Sequence, residues 1–287
     1  MSGRTFVVAF LFFVSGLCQA QSPASCDQWT FFNTFTPDGI DRYGTVVGYG
    51  VQSDGSIDGY IRYADGTTKL YAYSGASGNW TLLSRRNASG LTVGYYRDVN
   101  QYSHGLALYG SKQVPLNFPD HAVETILYGV NDLNTIVGIY GYGDFSQPYD
   151  GFQMTQDGTF TVLAYPGAEM TNPMNINDAG TIVGWWVPDQ AQPPFPDYGF
   201  TLTNGSYQEL DYPNVDRTFL NDINSSGVIA GSYQDTGTGA EGGFLYENGN
   251  FLDIINPTTQ VQSVVGINDS GFVTGTSTAG SFIAHCQ

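Results

Sequence analysis

The stretch NINDAGTIVG, residues 175–184, joins an apolar step to an Asn-Asp-small-Gly turn and then to a β-branched pair ending in glycine. Five variants of it occur elsewhere in the chain. Their closing glycines are Gly48, Gly94, Gly138, Gly184, Gly231 and Gly275, spaced 46, 44, 46, 47 and 44 residues apart. Four residues before each lies Gly44, Gly90, Asn134, Gly180, Gly227 or Gly271. Glycine and asparagine are the residues that most readily adopt positive φ. The recurring property is therefore read as a left-handed turn, not as a repeated chemical group.

The rest of each unit follows the same order. After the closing glycine comes a loop, then a strand such as DGYIRY, HGLALY or GGFLYE. A tight turn such as QDG or ENG leads to a last alternating strand such as FTVLAYPGA. That makes about four short strands per unit, bounded by turn residues, with no sustained helical period. Four strands in about 45 residues is the arithmetic of a propeller blade. The sixth unit ends after its third strand, and Trp29–Pro37, WTFFNTFTP, reads like the missing fourth. The expected fold is all-β, a six-bladed β-propeller of four-stranded blades. Its N-terminal strand completes the last blade and hides the sheet edges.

Repeats of this form resemble the HAF family of bacterial extracellular repeat proteins. INDAGTIVG (176–184), HGL (104–106), GFLYENG (243–249) and LAYPGA (163–168) carry the resemblance over residues 33–287. It implies a secreted or surface-exposed propeller-like protein and brings no catalytic residues. The second unit departs, reading RRNASG at 85–90.

Residues 1–20 read as a secretory signal peptide, with Arg4 before an apolar run from Phe6 to Leu17. Residues 21–287 then form a single domain, secreted to the extracellular space or periplasm. Cys18 leaves with the leader, while Cys26 and Cys286 fall on neighbouring strands of one blade. An exported chain favours a disulfide between them.

The formal charge is −17, with 26 acidic and 9 basic residues. Nucleic acid binding needs a basic face, so no nucleic acid partner is expected. Neither membrane insertion nor a cofactor is expected, and the chain is read as a monomer. Most acids sit beside Gly, Asn or Ser, where Asp caps turns.

Where the copies disagree is where function is sought. Two long loops, 141–151 and 187–199, lie in adjacent blades. Together with the crossings after them they bring Asp144, Tyr149, Asp150, Glu169, Trp185, Trp186, Asp197, Tyr198 and Arg217 to one face. Aromatic rings with carboxylates suit a carbohydrate ligand, or a peptide. The first expectation is a binding or scaffolding module. The alternatives are a polysaccharide hydrolase or lyase using the same carboxylates, and a purely structural envelope protein. Trp185 and Trp186 must point to opposite faces of their strand.

No catalytic residue and no metal ligand is assigned. His104 and His285 read as local structure, whereas His121, between Asp120 and Glu124, is the one conceivable metal position. Arg85 and Arg86 fall where other copies are apolar. A channel arginine could meet an anionic ligand; the simpler expectation is an irregular strand with both side chains in water.

Overall fold

The computed structural model describes residues 23–76, 80–119, 121–143, 149–189 and 195–287. They form six antiparallel sheets of four strands each. The innermost strands are Thr36–Ile40, Thr81–Arg86, Glu124–Val130, Ala168–Ile176, Arg217–Ile223 and Val261–Ile267. Each neighbouring pair of blades packs in contact around the ring, including blade 6 against blade 1. The fold is the six-bladed propeller read from the repeat. Strand Cys26–Phe32 pairs with Gly280–Cys286 and so supplies the outer strand of the last blade. Cys26 and Cys286 are direct partners in that pairing and are joined by a disulfide, with 4.1 Å between their Cα atoms. No helix among the described residues is long and apolar enough to cross a membrane.

The repeat turn has the backbone its residues imply. Gly44, Gly90, Asn134, Gly180, Gly227 and Gly271 all have φ between 60° and 88°. The closing glycine has a different cause. A Cβ on Gly184 would lie 2.0 Å from the Asn172 carbonyl oxygen on the inner strand, and Gly48, Gly94 and Gly275 meet the same obstacle at 2.0 Å. Two strands approach here more closely than any side chain allows. At Gly180, by contrast, a Cβ would have nothing within 4 Å of it. Gly184→Ala should therefore cost about 2–3 kcal/mol, against about 1 kcal/mol for Gly180→Ala from its left-handed φ alone. Chemical denaturation of the two variants checks that order, and equal losses would refute the close-approach reading.

The turn's asparagine is also structural, which corrects the view that only backbone conformation recurs. Asn131 donates from Nδ2 to the Asn177 carbonyl of the next blade at 3.1 Å. Asn87 reaches Asn131 at 2.9 Å, Asn177 reaches Asn224 at 3.3 Å, Asn224 reaches Asn268 at 3.4 Å, and Asn268 reaches Asp41 at 3.0 Å. The same side chains cap their own turns through Oδ1, as in Thr135 N–H to Asn131 at 2.8 Å. In the first copy the position is Asp41, which has no N–H to donate. There the link is reversed: Arg86 donates Nε to Asp41 at 3.2 Å. The ring of blades is thus stitched all the way round. Arg86 is part of that stitch and not a solvated side chain.

Blade-to-blade packing repeats as well. The second residue after the closing glycine packs ring to ring on an aromatic near the end of the fourth strand, stacked in three pairs and tilted in that of Tyr96. The pairs are Tyr96 on Tyr73 (4.5 Å), Tyr140 on Phe118 (3.7 Å), Trp186 on Tyr165 (4.2 Å) and Tyr233 on Tyr212 (4.0 Å). Aromatic pairs of this kind add to the area they bury. At the core centre sit the fully buried Phe152, Phe200, Phe244 and Phe282, one on each third strand of blades 3 to 6.

Candidate functional site

Each innermost strand carries an extra residue at an equivalent place, and those of blades 4 and 6 carry a second near their start. The register slips between Pro37 and Gly39, Leu83 and Arg85, Leu127 and Gly129, Pro173 and Asn175, Leu220 and Asp222, and Val264 and Gly266. A bulge re-aims the inserted side chain. The six inserted residues are Asp38, Ser84, Tyr128, Met174, Asn221 and Val265, and all six line one cavity of about 210 Å³. Tyr49 and Tyr95, which follow the closing glycines of blades 1 and 2, complete its wall. The inner strands run from the irregular loops towards the repeat turns, so this cavity is the loop-side end of the channel. Six equivalent positions that build the fold identically thus carry six different side chains at one place.

The next residue along each inner strand closes the floor. These are Gly39, Arg85, Gly129, Asn175, Asp222 and Gly266. Two of the glycines leave room for two of the side chains: a Cβ on Gly39 would lie 2.8 Å from Arg85 Cδ, and one on Gly129 would lie 2.6 Å from Asn175. Arg85 is buried and spans the channel. Its Nη2 donates to the carbonyls of Asn221 (2.6 Å) and Val265 (2.8 Å), and its Nη1 to those of Ser84 (2.9 Å) and Asp38. Its Nε lies 3.7 Å from Asp222 Oδ1. Asp222 also accepts from the Ile223 and Ile267 amides, both at 2.8 Å, and from Asn175. Arg85 is neither in water nor open to an anionic ligand; it is a plug bonded to four strands.

Asp38 lies against this plug. Burial pushes its carboxyl up to about 7, with Arg85 pulling the other way. Burial and Asp38 push Tyr95 up to about 12, and Tyr128 is raised for the same reasons. Because folding raises the Asp38 pKa, the folded state holds a proton that the unfolded chain releases above about 4. Stability from this group is full below that pH and declines until about 7. Asp38→Asn should therefore match wild type at pH 4 and be the more stable at pH 8. Urea titrations at the two pH values test the sign.

The residues singled out in the sequence are placed as follows. Asp144 lies outside the described residues. Tyr149 donates its hydroxyl to the buried Glu124, and it sits close enough to Tyr128 to raise the latter's pKa. Asp150 is 3.5 Å from the Tyr140 hydroxyl, with its pKa raised by burial. Trp186 is buried in the repeated stack, with Tyr198 at 5.2 Å. Trp185 points the other way, as alternation requires, edge-on to Phe219 at 5.5 Å. Asp197 pairs with Arg217 at 3.4 Å across blades 4 and 5, and Glu169 is exposed. Trp185–Phe219 and Asp197–Arg217 share the gap between blades 4 and 5, the contacts of Tyr149, Asp150 and Tyr198 lie within their own blades, and Tyr149 is the one that reaches the channel cluster. His104 bonds Asp98 at 3.3 Å, and His285 bonds Ser270. His121 is exposed at φ 64°, while Glu124 is occupied by Tyr149 and the Ser103 amide. No group of three metal-ligating side chains occurs among the described residues.

Among the described residues, then, the chain is a closed six-bladed β-propeller whose channel is plugged at mid-depth and open to a polar-aromatic cavity on the loop side. No family model and no curated protein matches the sequence. Solved propellers match the fold. A provisionally named TolB from Agrobacterium tumefaciens is 12% identical with a TM-score of 0.61, covering 89% of this chain and 90% of that one. A provisionally named gluconolactonase is 12% identical with a TM-score of 0.56, covering 93% and 94%. A mutant of AofleA from Arthrobotrys oligospora is 11% identical with a TM-score of 0.52, covering 92% and 87%. At such identity the likeness is one of architecture.

Proposed function

We propose that this protein is an exported binding module of the HAF-like repeat type. It takes one hydroxyl-rich ring, such as the terminal unit of a glycan, at the loop-side end of its channel. The observation that carries the reading is the convergence of six non-repeating bulge residues on one cavity. Tyr49, Tyr95 and Tyr128 offer ring faces and hydroxyls, while Asp38 and Asn221 offer side-chain oxygens as acceptors, the Asn221 amide being held by Ser232 and Val264. About 210 Å³ is below the ~300–1,000 Å³ of sites for drug-sized ligands, so a single ring fits the scale. Tyr149, Trp185 and the exposed Glu169 are candidate contacts for whatever extends beyond the cavity. Asp150, Trp186, Asp197, Tyr198 and Arg217 support that rim. The disulfide is compatible with an extracellular or periplasmic protein.

The second reading is an enzyme acting on polysaccharide at the same cavity. It is favoured by Asp38, whose carboxyl near 7 suits proton transfer at neutral pH. Against it, glycoside hydrolysis generally uses two carboxylates, and Asp38 is the single one in the described lining. A glycan array on the mature protein, followed by titration of the hits, tests both. Binding that falls about tenfold or more in Asn221→Ala, with no turnover, supports the module. Turnover lost in Asp38→Asn supports the enzyme. Neither binding nor turnover would leave a structural envelope protein.

A further inference from the structure

On a chain with 26 acidic and 9 basic residues, one groove breaks the pattern. It lies between blades 6 and 1 on the repeat-turn face, has a volume of about 520 Å³, and is lined by two arginines and no carboxylate. It is remote in kind from the channel cavity, with which it shares no lining residue. We infer that this groove is a second ligand site, built for an anionic sugar ring such as a uronate.

The walls are aromatic. Trp29, Tyr43 and Phe272 line it, and Tyr43 is 64% exposed although it is a large apolar ring. Trp29 rests on the buried Phe282 at 5.0 Å, so its ring is backed by core rather than by solvent. Rigid rings of this kind present flat faces to the C–H side of a sugar. The backbone under Trp29 is held in an uncommon state. Gln28 has φ 53°, and the register of its strand slips between Asp27 and Thr30. A non-glycine residue kept in the left-handed region is a recurrent feature of ligand sites.

The charges differ in availability. Arg42 is bonded to Asp132 and lies 3.7 Å from Asp269, so its charge is shared. Arg62 makes no hydrogen bond or ion pair with the described residues, although, after the hydrogen bonds from Thr67, its charge helps hold the exposed Asp65 carboxyl below its usual range; its guanidinium lies 5.7 Å from the Phe32 ring centroid. Arg62 lines the groove, and a planar guanidinium is suited to bidentate contact with a carboxylate. The surrounding negative field opposes long polyanions and leaves a singly charged unit as the fitting ligand.

The test is calorimetric titration of the mature protein with glucuronic acid, with glucose as the neutral match and an oligogalacturonate as the chain form. Glucuronate should bind at least about tenfold more tightly than glucose. Arg62→Gln should remove about tenfold of that affinity with an unchanged thermal midpoint, and Tyr43→Ala should weaken it further. Asp38→Asn should leave glucuronate binding intact, which separates this site from the channel. The oligogalacturonate should bind no more tightly than the single unit, because the surrounding negative field opposes each further charge; tighter binding of the oligomer overturns the choice of a singly charged ligand. The inference is overturned if glucuronate does not bind saturably or if glucose binds equally well. It is overturned too if Arg62→Gln has no effect or if Asp38→Asn abolishes binding.

Discussion

Arg85→Met should destabilise the protein by about 3–5 kcal/mol at neutral pH, the usual cost of removing one partner from a buried ion pair. The loss is not that of one contact. Four carbonyls, on Asp38, Ser84, Asn221 and Val265, lose their donor together. Asp222 is left buried with its charge opposed by nothing but amide dipoles. Its pKa, already raised by burial, rises further, so the charged form is still more costly to keep in the folded state. The midpoint of thermal unfolding should fall by on the order of 10 °C for a domain of this size. Adding Asp222→Asn should restore more than half of the loss, because the stranded charge is then gone while the acceptor for the Ile267 amide remains. If the double variant is no more stable than Arg85→Met, the pairing with Asp222 is not what holds the plug in place.

Removing the disulfide should have a comparable effect. The bond joins residues 260 apart. Chain-entropy reasoning for so long a loop gives about 5 kcal/mol, and measured values commonly fall near 2–4 kcal/mol. The consequence is also local. Strand Cys26–Phe32 is held to its blade by one ladder with Gly280–Cys286, and that ladder slips at Gln28–Trp29. Without the bond this strand should open ahead of the rest. Cys26→Ser/Cys286→Ser should show earlier proteolysis near residue 30 and a lower unfolding midpoint. Peptide mapping of the non-reduced wild type should find the two terminal peptides linked. Free thiols at both positions, or a double variant with wild-type stability, would refute the closure account.

Much of this architecture was legible because it rests on local rules. Gly44 and its five counterparts announce positive φ, and positive φ is a property of the residue itself. Closure by an N-terminal strand was legible because a truncated sixth copy and an orphan strand at the other end complete one another, but its bounds were not: the closing strand is Cys26–Phe32, and Thr36 and Pro37 open the inner strand of blade 1. The stacking of Trp186 on Tyr165 was not legible, although the signal was present. Aligned copies place Tyr96, Tyr140 and Tyr233 at the same position, and a recurring aromatic is a packing position before it is a binding one. The role of the turn's asparagine is hidden for the opposite reason. Its recurrence was visible even in RRNASG, where Asn87 survives, but its partner is a carbonyl in the next blade some 44 residues away.

The sequence by itself determined the number of blades, the left-handed turns, the closing strand and the pairing of the two cysteines. All of these follow from period, backbone preference and strand count. Only the tertiary structure decided what fills the channel. An inserted residue at an equivalent place on each inner strand brings Asp38, Tyr128 and Asn221 to the cavity wall, and nothing in a period-two pattern marks an insertion of one. The meeting of Arg85 with Asn221 and Val265, 136 and 180 residues away in sequence, exists only because the ring is closed. Side chains at the axis answer to every blade at once, so their roles are set by the assembly and not by the repeat that carries them.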